Sequence, residues 1–306
     1  MKVFITGGTG FVGRTLIESL SAERHRIVLL TRHPEKASFP ENVEVIGGDP
    51  TEPGPWQEKA VLCEAAVNLA GASIFTRWSN RAKERILNSR VFTTQNLVDS
   101  FDRKKSRTKL LINASAVGFY GSRGDEELDE TSPPGNDFLA GVTRDWEGEA
   151  EKAENYGVRV IRCRFGIVLG KHGGALATMV RPFRFGVGAS FGSGKQWFSW
   201  IHERDLARIL LFLIDKKDPA GPINAAAPHP VQNRELAKTI GRVLHRPVWP
   251  SVPGFVLKLY LGEFAESLLT GQKVLPKKLT RAGFRFEYPL LEEALQDLLG
   301  KNKGKE

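Results

Sequence analysis

The first thirteen residues, Met1-Lys2-Val3-Phe4-Ile5-Thr6-Gly7-Gly8-Thr9-Gly10-Phe11-Val12-Gly13, decide how the chain folds. Residues 3–5 form a short apolar run of the kind found in buried parallel strands. Residues 6–10 are a glycine turn, and residues 11–20 have the apolar spacing of a helix. This order of strand, glycine turn and helix start predicts a dinucleotide site, with an ordinary strand–turn–helix as the alternative.

Each glycine of this turn has a predicted physical role. Gly7 and Gly8 allow a sharp turn in which a Cβ would clash. Gly10 lets the main chain approach a pyrophosphate, and Gly13 lets the helix lie close against the sheet. The free N–H groups at the start of the helix would then face the phosphates. The predicted phosphate-binding set is Thr6, Gly7, Gly10, Phe11, Val12 and Gly13.

Size and composition are those of a globular protein with a sizeable core. The chain has 306 residues, 41% of them hydrophobic and 26% charged, and no apolar stretch approaches the roughly 20 residues of a membrane span. The two cysteines, Cys63 and Cys163, are too few for a disulfide framework or a metal site. Because Met1 leads directly into the first strand, we expect no targeting segment, no membrane contact and a cytoplasmic location.

The formal net charge of +9 raises the question of nucleic acid binding. The basic residues are scattered, and the densest runs, at residues 103–105 and 301–305, resemble solvated connectors. Since no nucleic-acid-binding motif accompanies them, we expect no nucleic acid to be bound. An anionic cofactor or substrate needs only a local basic patch.

The end of the second predicted strand indicates which dinucleotide is bound. Residues 27–30 are apolar and lead into Thr31-Arg32, with Lys36 nearby. Sites that prefer NAD usually place an acidic residue about 20 residues past the glycines, where it bonds the ribose 2′-hydroxyl. An arginine at that place can instead hold a 2′-phosphate with two parallel hydrogen bonds. We therefore predict NADP(H), the alternative being an exposed loop arginine.

Later strand ends extend the predicted cofactor site. Asp49 follows the third strand and would accept a bond from the adenine amine, unless it is a turn aspartate. Leu69-Ala70-Gly71 follows the fourth strand, where small residues let the backbone lie against ribose and nicotinamide. The fifth and sixth strands are predicted at residues 110–114 and 158–169. The predicted cofactor set is completed by Arg90, Ser115 and Arg164.

Helices are predicted between the strands, and a second lobe follows them. Residues 78–101 and 138–155 are the long helices, whereas residues 171–200 are rich in Gly, Phe, Arg and Trp with little periodicity. Further helices are predicted at 205–214, 233–244 with Asn233 as its cap, 255–269 and 290–299, and strands at 223–226 and 248–252. We predict an α/β fold with a doubly wound parallel sheet in residues 1–170 and 200–226. Residues 171–199 and 227–306 would form a smaller α+β substrate lobe.

The chain resembles a known family over essentially its whole length. Residues 6–13 are similar to the fingerprint of extended short-chain dehydrogenases/reductases, and Asp49, residues 68–71 and residues 115–121 follow in the same order. More narrowly, the chain resembles the atypical subgroup called epimerase family proteins. Its marks are Ala114-Ser115-Ala116-Val117-Gly118-Phe119-Tyr120-Gly121, Asp145-Trp146-Glu147, Pro182-Phe183-Arg184, Gly192-Ser193-Gly194-Lys195-Gln196, Trp200-Ile201-His202 and Gly271-Gln272-Lys273-Val274-Leu275-Pro276. The resemblance implies a Rossmann domain, bound NADP(H) and a C-terminal lobe that closes the substrate site.

The chain departs from the family's catalytic pattern. Typical members use Tyr-x-x-x-Lys, in which the Tyr is the general acid/base and the Lys lowers its pKa and holds the ribose. Alignment on Glu147 puts Leu139 at the Tyr position and Thr143 at the Lys position. Neither side chain can move a proton at neutral pH.

Three other side chains are the catalytic candidates. Ser115 would bond a substrate carbonyl or hydroxyl, Tyr120 would replace the missing proton donor, and His202 titrates near neutral pH. Their structural alternatives are a hydroxyl bonded to its own backbone, a pocket wall and a helix-capping histidine. The substrate is expected to be a small molecule, and an anionic one would suit Arg164, Arg181 and Arg184 unless these are surface or packing residues.

Two functions remain open from the sequence. The first is an NADP(H)-dependent epimerase or reductase with an unusual proton donor, which the specific C-terminal lobe favours. The second is a non-catalytic NADP(H)-binding sensor or regulatory protein, which the missing Tyr-x-x-x-Lys and cell-division relatives in plastids and cyanobacteria favour. The resemblance also implies a homodimer through helices 78–101 and 138–155, with Phe92 and Phe138 either at the contact or in the core.

Overall fold

The structure is a computed structural model that describes residues 1–102, 106–171 and 173–300. Its strands are β1 (Lys2–Thr6), β2 (Arg26–Thr31), β3 (Val43–Gly47), β4 (Ala65–Asn68), β5 (Leu110–Ala116), β6 (Glu127–Leu128), β7 (Arg159–Phe165), β8 (Ile167–Leu169), β9 (Ala189–Phe191), β10 (Trp197–Phe198), β11 (Trp200–His202), β12 (Gly221–Ala225), β13 (Val231–Gln232), β14 (Trp249–Val252) and β15 (Lys273–Val274). Its α-helices are α1 (Phe11–Ala22), α2 (Trp56–Ala60), α3 (Asn80–Ser100), α4 (Phe138–Glu151), α5 (Gly174–Arg184), α6 (Glu203–Asp215), α7 (Asn233–Leu244), α8 (Gly254–Leu261), α9 (Phe264–Leu269), α10 (Lys277–Arg281) and α11 (Leu291–Leu299). The basic runs at residues 103–105 and 301–305 lie outside the described residues.

Parallel strands form the central sheet in the order β12-β7-β5-β4-β1-β2-β3. The order reverses beside β1, because β2 and β3 lie on one side of it and the later strands on the other. Open α/β sheets bind ligands at such a switch point, outside the carboxyl ends of the strands. The predicted doubly wound parallel sheet is confirmed, and it places the strand ends named above along one edge.

Helices cover both faces of this sheet, which is why its central strands carry apolar residues on both faces. Val3, Phe4 and Ile5 of β1 have no exposed surface. Because successive side chains point to opposite faces, Val3 and Ile5 pack with Leu16 of α1, whereas Phe4 packs with Trp56 of α2. Full burial of such a side chain contributes roughly 1.5–3 kcal/mol to folding.

The region after β8 differs from its prediction. Residues 171–200 were predicted to lack periodicity, which is wrong, because α5 lies within them. Leu176, Val180 and Phe183 repeat at helical spacing and pack α5 into the same cluster as α7 and α11. The single helix predicted at 255–269 is two helices, α8 and α9.

Two predicted element ends also differ. The strand predicted at 158–169 breaks at Gly166 into β7, which joins the central sheet, and β8, which pairs with β11 instead. Asn233 does not cap α7 with its own side chain, because it is the first helical residue. Its Oδ1 accepts a hydrogen bond from the Phe191 N–H at 2.8 Å and ties α7 to β9.

A smaller C-terminal lobe rests on α5, α7 and α11. Short strand pairs extend it, β9 with β14 and β10 with β13, and β15 pairs back to β6. The division of the chain into residues 1–170 with 200–226, and 171–199 with 227–306, stays a prediction. Within the described residues, no helix combines the length and the apolar composition needed to cross a membrane.

Candidate functional site

The glycine turn brings three backbone segments into direct contact. Gly7 has a φ of +69°, and a Cβ on it would lie 2.6 Å from the Leu69 carbonyl carbon. A Cβ on Gly13 would lie 2.4 Å from Gly8 Cα. Both distances are far below a van der Waals contact, so the turn, α1 and the exit of β4 pack only as glycine allows. At Gly13, α1 therefore lies against the glycine turn, and the predicted close approach at this residue is to the turn and not to a strand of the sheet.

The start of α1 offers unpaired backbone donors to this cleft. Gly10 occupies the cap position without a side-chain bond, and no acidic residue lies in the first turn. Helix starts of this kind bind anions through their free N–H groups and partial positive charge. The ring of Phe11 points away to the exit of β8, since a Cβ on Gly170 would lie 2.1 Å from Phe11 Cζ. Any contact from Phe11 to a phosphate would come from its N–H.

The residues after β2 and β3 lie at the same edge. Arg32 is exposed, and its guanidinium has no partner within the described residues. Thr31 is buried and its Oγ1 accepts the His33 N–H at 3.3 Å. Asp49 uses Oδ1 in its own turn, where it accepts bonds from the N–H and Oγ1 of Thr51 at 2.9 and 2.7 Å. Its second oxygen remains for another donor.

A buried hydrogen-bond network holds the ends of β1, β4 and β5 together. Asn68 accepts from Thr6 Oγ1 at 2.5 Å and donates to Thr94 Oγ1 at 2.9 Å and Asn113 Oδ1 at 2.7 Å. All four residues are buried. Asn68 was not among the predicted site residues, although a polar side chain that ends an apolar strand is a usable signal.

Arg90 of α3 lies under the exit of β4. Its Nη1 donates to the Ala72 carbonyl at 3.0 Å and the Ile86 carbonyl at 2.9 Å, and its guanidinium lies 5.2 Å from the Trp146 ring centroid. Burial lowers the pKa of Arg90 to about 10, with no carboxylate of the described residues to oppose it. A cationic group that is desolvated without an acidic partner is favourably placed to meet an anion.

Ser115 and Tyr120 belong to one buried side-chain network. Ser115 Oγ donates to Glu147 Oε1 at 2.6 Å, and Arg164 donates to both oxygens of Glu147 at 2.8 Å. Arg164 Nη1 also donates to Tyr120 Oη at 2.9 Å, and Tyr120 Oη donates to Asn224 Oδ1 at 2.7 Å. None of the five residues is more than 3% exposed. The network joins β5, α4, β7 and β12.

This network occupies the groups that catalysis would need. Burial raises the pKa of Tyr120 to about 12, in spite of the neighbouring Arg164. Its hydroxyl already donates to Asn224 and accepts from Arg164, and its side chain has no exposed surface. Glu147 likewise neutralises Arg164. The geometry favours structural roles for Ser115, Tyr120 and Arg164.

His202 lies at the start of α6 with no exposed surface. Its Nδ1 accepts the Arg204 N–H at 3.0 Å, and its Nε2 faces Asp297 Oδ2 at 3.3 Å. The ring stacks on Tyr288 with 3.9 Å between centroids, and burial lowers the pKa of His202 against the pull of Asp297. This is the geometry of a helix-capping histidine between α6 and α11.

Aromatic contacts join the β4–α3 loop to the C-terminal lobe. Trp78 packs on Phe138 and Phe264, with ring centroids 5.1 and 5.6 Å apart, and Phe75 meets Phe264 at 6.0 Å. Lys83 forms an ion pair with Glu263 beside them. Phe264 belongs to α9, so these contacts tie the β4–α3 loop to α9.

A cavity of about 60 Å³ lies beside the carboxyl end of β5. Val117, directly after β5, lines it together with Ile167 of β8 and Met179 of α5. Residues 267–272 and the segment around Gln196 close the other side. The cavity therefore has one wall from the segment directly after β5 and its other walls from β8 and the C-terminal lobe.

The face predicted as a dimer contact carries an open groove between α3 and α4. Leu87, Val91 and Arg144 are among the residues that line it. Phe92 is 43% exposed, whereas Phe138 packs against Trp78. The homodimer stays a prediction, with Phe92 free to take part in the contact. The described residues contain no cluster of side chains that could hold a metal ion.

A family model described as the NAD dependent epimerase/dehydratase family matches residues 3–226. The chain belongs to this family. A second model, described as a domain of unknown function (DUF1731), matches residues 252–298 of the C-terminal lobe. Together the matches follow the order of the central sheet and then the lobe, as the sequence marks predicted.

Relatives of similar length carry the subgroup name. The chloroplastic epimerase family protein SDR39U1 homolog of Arabidopsis thaliana is 44% identical over 303 residues, 98% of this chain and 87% of the relative. Epimerase family protein YfhF of Bacillus subtilis (strain 168) is 38% identical over 304 residues, 99% of each. The crystal structure of human epimerase family protein SDR39U1 (isoform 2) with NADPH is similar at a TM-score of 0.84 and 33% identity, covering 99% of this chain and 100% of that one. The resemblance to epimerase family proteins is confirmed.

Proposed function

We propose that this protein binds NADP(H) along the carboxyl edge of its sheet and acts as an oxidoreductase on a small molecule. The observation that carries the nucleotide is the crystal structure of the human relative with NADPH, which matches over the whole chain. The exposed Arg32 after β2 supports the phosphorylated form, because no described residue occupies its guanidinium and it can meet a 2′-phosphate.

The residues present fit a dinucleotide. A glycine turn that packs directly on the exit of β4, followed by an uncapped helix start, offers its backbone N–H groups to a pyrophosphate. We assign nucleotide contacts to Thr6, Gly7, Gly10, Phe11, Val12, Gly13, Thr31, Arg32, Asp49, Leu69, Ala70, Gly71 and Arg90. Ser115 and Arg164 would act indirectly, by holding the end of β5 in position.

The protein's own part in the reaction is to bind, orient and exclude water. NADPH supplies a hydride when it is bound and oxidised. Among the described residues, no side chain that lines the cavity beside β5 is ionisable. The proton that completes the reduction of a carbonyl to an alcohol would therefore come from water, unless Tyr120, Ser115 or His202 leaves its present partners.

A second candidate is a non-catalytic NADP(H)-binding sensor or regulatory protein. The specific observation in its favour is the surroundings of Leu139 and Thr143, the positions that align with Tyr-x-x-x-Lys. Leu139 packs against Gly118, and Thr143 Oγ1 donates to the Leu139 carbonyl at 2.9 Å within α4. Neither offers a proton to the cleft. Reduction of small carbonyl compounds by NADPH-loaded protein would decide between the candidates, since a non-catalytic sensor reduces none of them.

Calorimetric titration with NADPH and NADH tests the cofactor assignment. NADPH should bind at least about tenfold more tightly than NADH, a difference of 1.4 kcal/mol. Arg32→Asp should remove that preference. Arg26→Asp is the matched control, because Arg26 is exposed at the opposite end of the same strand. Equal binding of the two nucleotides, or the same loss in both variants, contradicts the assignment of Arg32.

A further inference from the structure

We infer that the cavity beside β5 accepts a small, neutral and largely apolar group that donates one hydrogen bond to Gln196. The inference rests on the proposed function, because it names the chemical class of substrate for that same site. It concerns the part of the substrate that enters the cavity. An anionic part, which the sequence left open, would have to lie outside it.

The walls of the cavity exclude charge. Val117, Ile167, Met179 and Leu268 supply apolar side chains from four different elements. Within the part of the chain that the structure describes, no acidic or basic residue lines the cavity. Transfer of an unpaired ion from water into such surroundings is strongly unfavourable, whereas an alkyl group gains by the same transfer.

Trp197 and Ser199, two of the polar residues that line the cavity, already have hydrogen-bond partners. Trp197 Nε1 donates to Asp125 Oδ1 at 2.6 Å. Ser199 Oγ donates to the Gln272 carbonyl at 2.7 Å and accepts the Val274 N–H at 3.0 Å. These groups are satisfied by the protein, so they do not select a ligand.

Gln196 differs from these groups, because only the NH₂ end of its carboxamide has hydrogen-bond partners. Its Nε2 donates to the Phe191 carbonyl at 3.1 Å and to the Leu268 carbonyl at 2.9 Å. Its Oε1 is buried and has no hydrogen-bond partner within the described residues. The two donations fix which end of the carboxamide is the oxygen, and they leave a buried acceptor on a residue that lines the cavity. A ligand that brings an O–H or N–H would satisfy it.

The size of the cavity restricts the group further. One water needs about 10–15 Å³ of such volume, and a cavity of about 150 Å³ holds benzene. A cavity of about 60 Å³ therefore has room for about three or four non-hydrogen atoms. A short secondary alcohol combines this size with neutrality and one donor. It is also the reduced form of a carbonyl substrate, which connects the cavity with the proposed reaction.

Methionine labelling gives a direct report on the cavity. The chain has 2 methionines, and Met179 lines the cavity while Met1 is 48% exposed at the start of the chain. In protein labelled with ¹³C-methyl methionine and saturated with NADPH, 2-propanol should shift the Met179 methyl resonance saturably and leave Met1 in place. Isobutyrate and isopropylammonium, which add a charge to the same carbon skeleton, should need at least about tenfold higher concentrations. No response to 2-propanol, or an equal response to all three probes, overturns the inference.

Gln196→Glu tests the hydrogen bond. It keeps an oxygen acceptor but adds a negative charge, so isopropylammonium should become the preferred probe. Gln232→Glu makes the same change in β13, outside the cavity. With that variant, 2-propanol should remain the preferred probe. Should Gln196→Glu fail to fold, Ile167→Phe replaces it, because the larger ring fills the cavity from β8 and should abolish the Met179 response.

The same samples separate this inference from the proposed function. Calorimetry reports NADPH binding and the Met179 resonance reports the cavity. NADPH binding with no response to 2-propanol overturns the cavity assignment alone. A Met179 response without NADPH binding overturns the proposed function and leaves the cavity assignment standing.

Discussion

Arg164 and Glu147 form a two-bonded ion pair that is almost completely removed from solvent. The Nε–Oε1 and Nη2–Oε2 distances are both 2.8 Å, and each residue is 2% exposed. The pair joins β7 to α4, and its remaining bonds reach Ser115 and Tyr120. Arg162 also faces Glu147, with 3.7 Å between Nη1 and Oε2, whereas Arg164 without Glu147 would be buried with no counter-charge.

Glu147→Gln should destabilise the protein by about 3–5 kcal/mol, because it leaves the Arg164 guanidinium buried without a counter-charge. Urea unfolding measures the loss. Glu149→Gln is the control, since Glu149 lies in the same helix but pairs with Lys152 at the surface. The free energy of unfolding of Glu149→Gln should fall by less than about 1 kcal/mol. Losses of equal size would show that burial of the Arg164 pair has no special weight.

Tyr120→Phe should lower stability by about 1–3 kcal/mol and leave NADPH affinity unchanged, because it removes two buried hydrogen bonds and no cofactor contact. Tyr260→Phe, at a side chain that is 75% exposed, should change neither quantity. Urea unfolding and calorimetry make the two measurements. A large loss of NADPH affinity in Tyr120→Phe with unchanged stability would instead place the phenol at the cofactor.

The pH dependence of the same variant provides a second test. Burial raises the pKa of Tyr120 to about 12, above the value of about 10 expected in the unfolded chain. The stability that the buried phenol contributes is therefore present below about pH 10 and lost as the pH rises toward 12. Unfolding free energies between pH 9 and about 12 should fall more steeply for the natural protein than for Tyr120→Phe. Parallel curves would contradict the assignment.

The central sheet could be predicted because its signals are local. Strand, glycine turn and helix start lie within thirteen consecutive residues, and the apolar run of β2 follows from burial on both faces. α5 was missed because Pro182 and the glycines before it weaken the local pattern. Packing of Leu176 and Val180 against α7 overrides that weakness, and such packing is not visible in a single segment.

The partners of the polar side chains could not be predicted for a related reason. Tyr120 bonds Arg164 and Asn224, which lie 44 and 104 positions later in the chain. Only the fold decides that β7 and β12 bring these groups to one point. The sequence therefore identified Tyr120 by its chemistry, whereas its burial and its bonds became visible only in three dimensions.

Gly7→Ala should abolish NADPH binding and destabilise the protein by more than the roughly 1–2 kcal/mol that a left-handed alanine costs, because its Cβ would also meet the Leu69 carbonyl carbon. Gly157→Ala is a matched control. Gly157 has nearly the same φ, +70°, but no atom lies within 4 Å of its Cβ position. Gly157→Ala should lose only the stability that a left-handed alanine costs, and it should keep NADPH binding. Thermal unfolding and calorimetry on the two variants separate the steric contact from the backbone strain.

Asp129 connects the loop after β6 to α10 and gives the fold an acid-sensitive contact. Its Oδ2 accepts from Lys277 Nζ at 2.7 Å, and its Oδ1 accepts the Thr131 N–H at 2.9 Å. These bonds, that of Lys277 first, hold the pKa of Asp129 well below its usual range. The contribution to stability is therefore present above the unfolded pKa of about 3.9 and lost as the pH falls below it.

Asp129→Asn should lower the melting temperature most at about pH 6, and the difference from the natural protein should shrink as the pH falls from about 4 toward 2. The effect should be modest, because Asp129 is only half-buried and solvent screens the pair. Glu18→Gln, at an exposed position of α1, should show no such convergence. A melting-temperature difference for Asp129→Asn that stays constant from pH 6 to about 2 would mean that the carboxylate and Lys277 do not stabilise one another.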